Sequence, residues 1–102
     1  MTDIEIYQLL MEWGEELEFL TGREFTIVEL LQGGVLIGYS IRLLQGEEEV
    51  ETLLTCHVYT QHYIPIFLKG GNNMLLERED RDKVIEFLHN YAQILIGELC
   101  EV

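Results

Sequence analysis

Val35-Leu36-Ile37-Gly38-Tyr39-Ser40-Ile41-Arg42-Leu43 is the stretch that decides the architecture. Val35, Ile37, Tyr39, Ile41 and Leu43 alternate with Leu36, Gly38, Ser40 and Arg42, so every second side chain falls on the same face. That period is the signature of a β-strand with one well-buried face. Upstream, Phe25 to Leu31 is a second strand run, joined to the first by Gln32-Gly33-Gly34. A Gly-Gly step supplies the positive φ angles of a tight hairpin. Downstream, Gln45-Gly46-Glu47-Glu48 reads as another turn.

The next run, Glu49 to Gln61, is expected to place Val50, Leu54, Cys56 and Val58 on one face. Glu49, Glu51, Thr55, His57 and Tyr59 are expected on the other. Tyr63 to Lys69 makes a fourth strand, which Pro65 restricts to an edge or a bulge because proline cannot donate to a ladder. After the turn Gly70-Gly71-Asn72-Asn73, Met74 to Glu77 forms a short fifth strand.

Both ends of the chain change period. Thr2 and Glu5 have capping-box spacing, and Ile6, Leu10, Trp13, Leu17 and Leu20 follow as one apolar stripe. An amphipathic helix from about Ile4 to Thr21 follows, with Gly14 as its weak point and Gly22 as its stop. At the other end Val84, Leu88, Ala92, Leu95 and Leu99 form a helical seam. Its first turn is rich in acid (Glu79, Asp80, Asp82), where the helix dipole favours negative charge. Asp80 is the expected N-cap and Glu79 the expected partner of Lys83.

The order α-β-β-β-β-(β)-α gives an α+β, two-layer sandwich: both helices pack on one face of an antiparallel sheet of four to five strands. Residues 1–102 are expected to form one acidic domain, without repeats or linkers.

Charge sets the functional expectation. Nineteen acidic residues stand against six basic ones, a formal net charge of −13, yet 48% of the chain is hydrophobic. An acidic disordered tail would be poor in apolar residues, so the chain reads as a folded domain with a strongly negative surface. Direct nucleic-acid binding runs on Lys and Arg, which argues against nucleic acid as a ligand. The same scarcity argues against an anionic membrane surface. The apolar runs fall well short of the ~20 residues a membrane span requires. The acidic start Met1-Thr2-Asp3-Ile4-Glu5 is unlike a secretory signal, and Cys56 and Cys100 are expected as reduced thiols, so a cytoplasmic location is expected.

No catalytic set emerges, and the chain is expected not to be an enzyme. Ser40, the one serine, lacks nucleophile-elbow glycines. Cys56 and His57 are adjacent and point to opposite strand faces. His57, His62 and His89 show no zinc spacing, and the Glu47-Glu48-Glu49…Glu51 run lacks the calcium-loop pattern. No metal or cofactor is expected.

The expected activity is therefore binding: an inhibitor or antagonist that engages a basic surface of a partner protein, such as a nucleic-acid-binding enzyme or a toxin. Small acidic DNA mimics, anti-defence proteins and immunity proteins are the analogy, through size and charge alone. The expected contact residues are Glu12, Glu15 and Glu16 on the first helix and Glu48, Glu49 and Glu51 on the second hairpin. Tyr7 and Met11, on a stripe offset from the main core stripe, supply the apolar anchor. The alternative is a small intracellular adaptor or secretion-type chaperone that holds a partner peptide in an apolar groove and self-associates as a homodimer.

So large an excess of one sign is a source of self-repulsion. Raising NaCl from ~0.01 to ~0.15 M shortens the Debye length from about 30 to about 8 Å. Calorimetry over that range should show the Tm rising; a constant Tm would mean the carboxylates do not burden the fold.

Overall fold

The computed structural model describes residues 1–100 and has the expected two layers. Helix α1 (Asp3–Thr21) is followed by strands β1 (Glu24–Gln32), β2 (Val35–Gln45), β3 (Glu48–His57), β4 (Tyr63–Leu68) and β5 (Asn73–Glu77), then by helix α2 (Arg81–Leu99). The strands form one antiparallel meander, β1-β2-β3-β4-β5. Three of the four hairpin turns carry glycines in the left-handed region, Gly33-Gly34, Gly46 and Gly70-Gly71, and the β3–β4 connection has none.

The helix starts follow from their caps. Thr2 accepts from the Glu5 N–H while Glu5 reaches back to Thr2, and the Thr2 N–H and hydroxyl that donate to its Oε1 hold the Glu5 carboxyl below the usual range. Asp80 caps α2 by accepting from the Lys83 N–H. Lys83 pairs with Asp80 at 3.7 Å rather than with Glu79, because the cap already turns Asp80 toward it.

The core lies between helices and sheet: Ile6, Leu10, Trp13 and Leu17 of α1 and Val84, Leu88, Ala92 and Leu95 of α2 meet Tyr39, Ile41, Leu54, Cys56, Ile64 and Ile66. Two polar tips are satisfied inside it. Trp13 Nε1 donates to the Leu88 carbonyl at 2.7 Å, and the Tyr91 hydroxyl donates to the Leu53 carbonyl at 2.8 Å. Leu20, expected on the stripe, is exposed in the last turn of α1.

Bulges revise the strand faces. The register of β2 on β3 slips between Ile41 and Arg42 and again between Leu43 and Leu44. One extra residue on β3 at each slip reverses which side chains face the helices. Val50, expected in the core, is 46% exposed, and Leu53, adjacent to buried Leu54, is fully buried. A slip between Leu30 and Leu31 does the same opposite Ile37: Leu36 packs against the core, while Ile37 is half-buried and outside it.

Pro65 is also placed differently. Strand β4 is interior to the sheet, not an edge, but its pairing with β3 covers only Leu54–Leu68, Thr55–Phe67 and Cys56–Ile66. That ladder stops one residue short of Pro65, so the missing donor breaks no pair.

Leu53→Ala should cost about 2–5 kcal/mol, the usual core truncation, while Val50→Ala should stay within about 0.5 kcal/mol. A Cβ at Gly38 would run into the Cys56 carbonyl oxygen, so Gly38→Ala must shift backbone. Its expected cost is about 1–3 kcal/mol. Denaturant unfolding checks all three, and the reverse order for Leu53 and Val50 would refute the bulged register.

Candidate protein-binding surface

Two helices that begin together end together. The Met1 ammonium donates to the Arg78 carbonyl, Arg78 meets Asp3 at 2.6 Å, and Glu5 lies 3.7 Å from Arg81, which joins the two helix starts. Halfway along, the Trp13 and Tyr91 rings stack at 6.0 Å. The helices therefore run in the same direction. At the far end Lys69 bridges Glu51 of β3 and Glu98 of α2, while Glu18 accepts from the Phe25 N–H at the start of β1. Glu24 pairs with Leu44, and Gln45 pairs with Glu48 across the β2–β3 turn. The closing ends of both helices and the acidic hairpin thus share one end of the molecule.

Charge accumulates there. Each helix closes with about half a negative charge on its unpaired carbonyls, and neither has a basic residue in its last turn. Glu15, Glu16, Glu18, Glu24, Glu47, Glu48, Glu49, Glu51 and Glu98 add full charges, against Arg23, Arg42 and Lys69. Two of those cations are already engaged, Arg42 with Glu49 at 3.0 Å and Lys69 with Glu51 at 3.2 Å. Hydrogen bonding to Glu51, reinforced by Glu98, holds the Lys69 ammonium above its usual range.

The sequence-derived contact residues separate into groups. Glu12 and Glu16 border a shallow groove between α1 and α2, floored by Leu9, Trp13, Ile85 and Leu88. Met11 and Glu15 line a different groove, between α1 and β1, with Leu10, Gly14, Glu18, Phe25 and Ile27. Glu48 is exposed and makes no ion pair among the described residues, whereas Glu49 and Glu51 are held by internal cations on opposite sides of the sheet. The bulge at Val50 separates these two. Tyr7 is half-buried, its ring 5.2 Å from that of Tyr39, so it packs against the core while Met11 lies at the surface.

A second surface escaped the sequence reading. The sheet face away from the helices carries Tyr63, Phe67 and Leu75, all exposed, and His57, whose ring lies edge-on to Tyr59 and Phe67 at 5.2 and 5.0 Å. His57 Nδ1 is buried without a hydrogen-bond partner. The signal was the alternation of Tyr63, Pro65 and Phe67 opposite Ile64 and Ile66, which reads as an apolar outer face once β4 is interior.

Among the described residues no three His, Cys, Asp or Glu side chains converge as a metal site, and no helix is long and apolar enough to cross a membrane. Burial without a nearby cation pushes the Cys56 thiol up to about 12, the opposite of what a nucleophile requires. No family model, curated protein or solved structure matches the chain.

A disulfide-exchange reagent at pH 8 should titrate one thiol in the folded protein, exposed Cys100, and two in denaturant. Because folding raises the Cys56 pKa, the unfolded thiol ionises first as pH climbs. Stability should be unaffected below about pH 8.5 and should fall above it. Rapid labelling of both thiols in the native state would contradict the buried position of Cys56.

Proposed function

We propose that this is a non-enzymatic binding protein, an inhibitor or antagonist that engages a basic surface of another protein through its acidic end. The observation that supports this reading is the shared direction of the helices. It brings two negative helix ends to the same pole as the β2–β3 hairpin, Glu15, Glu16 and Glu24. A focused field of one sign steers an oppositely charged partner and accelerates encounter. Each exposed pair is worth only ~0–1 kcal/mol, so the charges act as a group, and chiefly on the association rate.

An intracellular adaptor or secretion-type chaperone is the second reading, favoured by the uncovered sheet face with Tyr63, Phe67 and Leu75. Apolar patches of this kind mark peptide-binding or self-association surfaces.

The test is capture of partners from the source cells at ~0.01 M and ~1 M salt, where the Debye length falls from about 30 to about 3 Å. It is run with the parent and two charge-reversal variants, Glu12→Lys/Glu15→Lys/Glu16→Lys and Glu47→Lys/Glu48→Lys. Glu49 and Glu51 are left unchanged because their internal ion pairs would confound the result. The expected outcome is a partner lost at high salt and bound more slowly by both folded variants. Capture that resists salt and tolerates both reversals would discard the acidic-surface reading in favour of the adaptor.

A further inference from the structure

The groove between α1 and β1 has a feature that stability does not explain. Gly14 sits in the middle of α1, where glycine is the least favourable residue after proline. A glycine is kept in a helix when a neighbour leaves no room for a Cβ, yet a Cβ built at Gly14 meets nothing within 4 Å. The fold does not require it. What the missing side chain does is keep open a groove of about 290 Å³ between Met11, Phe25 and Ile27. At ~30 Å³ per water that is room for about ten waters, just below the ~300–1,000 Å³ of small-molecule pockets. It fits one long side chain better than a cofactor.

The lining states which one. The floor is Leu10, Phe25, Ile27 and Ile41, and the rim carries Glu15 and Glu18. Glu18 is already oriented, since its Oε1 accepts from the Phe25 N–H at 2.9 Å, and Glu15 makes no ion pair among the described residues. An apolar trough ending in two carboxylates complements a side chain with an aliphatic stem and a cationic head. A pre-positioned carboxylate lowers the ordering cost of binding it.

We propose that this groove takes one arginine or lysine side chain of the basic partner, its stem against Met11, Phe25 and Ile27 and its cationic head between Glu15 and Glu18. The proposal rests on the acidic end being the binding surface and names the contact that gives it specificity beyond charge.

The test uses the full chain and the peptide acetyl-Ala-Ala-Arg-Ala-Ala-amide, followed by NMR, with peptides carrying neutral citrulline or norleucine in place of Arg. The Arg peptide should shift the Met11 and Ile27 methyls and the Gly14 amide. The citrulline and norleucine peptides should bind more weakly by up to about fivefold, the effect of one exposed ion pair. A Cβ at Gly14 meets nothing within 4 Å, so Gly14→Leu sends its side chain into the groove and should remain folded by its melting curve while losing those shifts. Glu15→Gln, which leaves the groove's shape intact, should weaken the Arg peptide alone. Shifts confined to the Glu12, Glu16, Glu47 and Glu48 surface would overturn the groove and leave the acidic-end reading standing. Undiminished binding by folded Gly14→Leu would also overturn the groove. Absence of any Arg-dependent shift would overturn the groove as well, while the acidic-end reading, which rests on charges acting as a group, stands or falls on the salt dependence of partner capture.

Discussion

Arg78 is the tie on which the rest of the arrangement depends. Its guanidinium, 11% exposed, donates to Asp3 at 2.6 Å and to the carbonyls of Val58 and Thr60 at 2.8 and 2.7 Å, and its own carbonyl accepts from the Met1 ammonium at 2.9 Å. One side chain thus links the start of α1, the connection between β3 and β4, and the segment leading into α2. Ionised donors make hydrogen bonds roughly twice as strong as neutral ones, and a planar fork can serve several acceptors at once. The chain has few cations, and it places its most buried paired one here. With the two helix starts clamped together over one sheet, the helices have to run side by side in the same direction, and the Trp13–Leu88 hydrogen bond fixes their spacing farther along.

That geometry converts a composition into a surface. Antiparallel helices would have set the positive end of one dipole beside the negative end of the other, and the fields would have largely cancelled. Parallel helices add. The β2–β3 hairpin reaches the same pole because an antiparallel meander alternates its turns between two ends, and this turn falls at the end where α1 closes. The Arg42–Glu49 and Lys69–Glu51 pairs then anchor the inner part of the hairpin and leave Glu47 and Glu48 at its tip.

Much of the fold was legible because periodicity reports burial directly. The alternation through Tyr39, Ile41 and Leu43 and the seam Val84-Leu88-Ala92-Leu95 are core faces. Legibility failed where a local irregularity changed the phase. Nothing in Glu49 to Cys56 announces a bulge, since its cause is a mismatch between two strands rather than a residue type; Val50 and Leu53 therefore exchanged roles. Pro65 misled for a related reason: proline forbids a ladder bond, and a ladder can end beside it inside a sheet. The candidate surface was legible as residue types and not as places. Spacing along α1 puts Glu12, Glu15 and Glu16 on its exposed side, but which groove each borders depends on where β1 and α2 lie. The parallel sense of the helices comes from Arg78, whose partners lie up to 77 residues away in sequence.

At the closing ends of the helices the charge distribution runs against what helix stability alone would select. Local electrostatics favour acids at helix starts and bases at helix ends. The starts follow that rule, with Asp3 and Glu5 opening α1 and Asp80 and Asp82 opening α2, but the last turns have no base at all while Glu18 and Glu98 lie beside them. Moving a lysine or two to the closing turns would relieve repulsion at no visible steric cost. Gly14, a helix-interior glycine with open space around it, breaks a second stability rule in the same α1–β1 neighbourhood. Local rules broken without compensation inside the fold are what a functional surface looks like. The violation of charge at the closing pole is joined by one of shape midway along α1, in the groove that reaches the pole at Glu18 and Phe25. An overcharged coat that served only to keep the molecule dispersed would account for the first and leave the open groove without a cause.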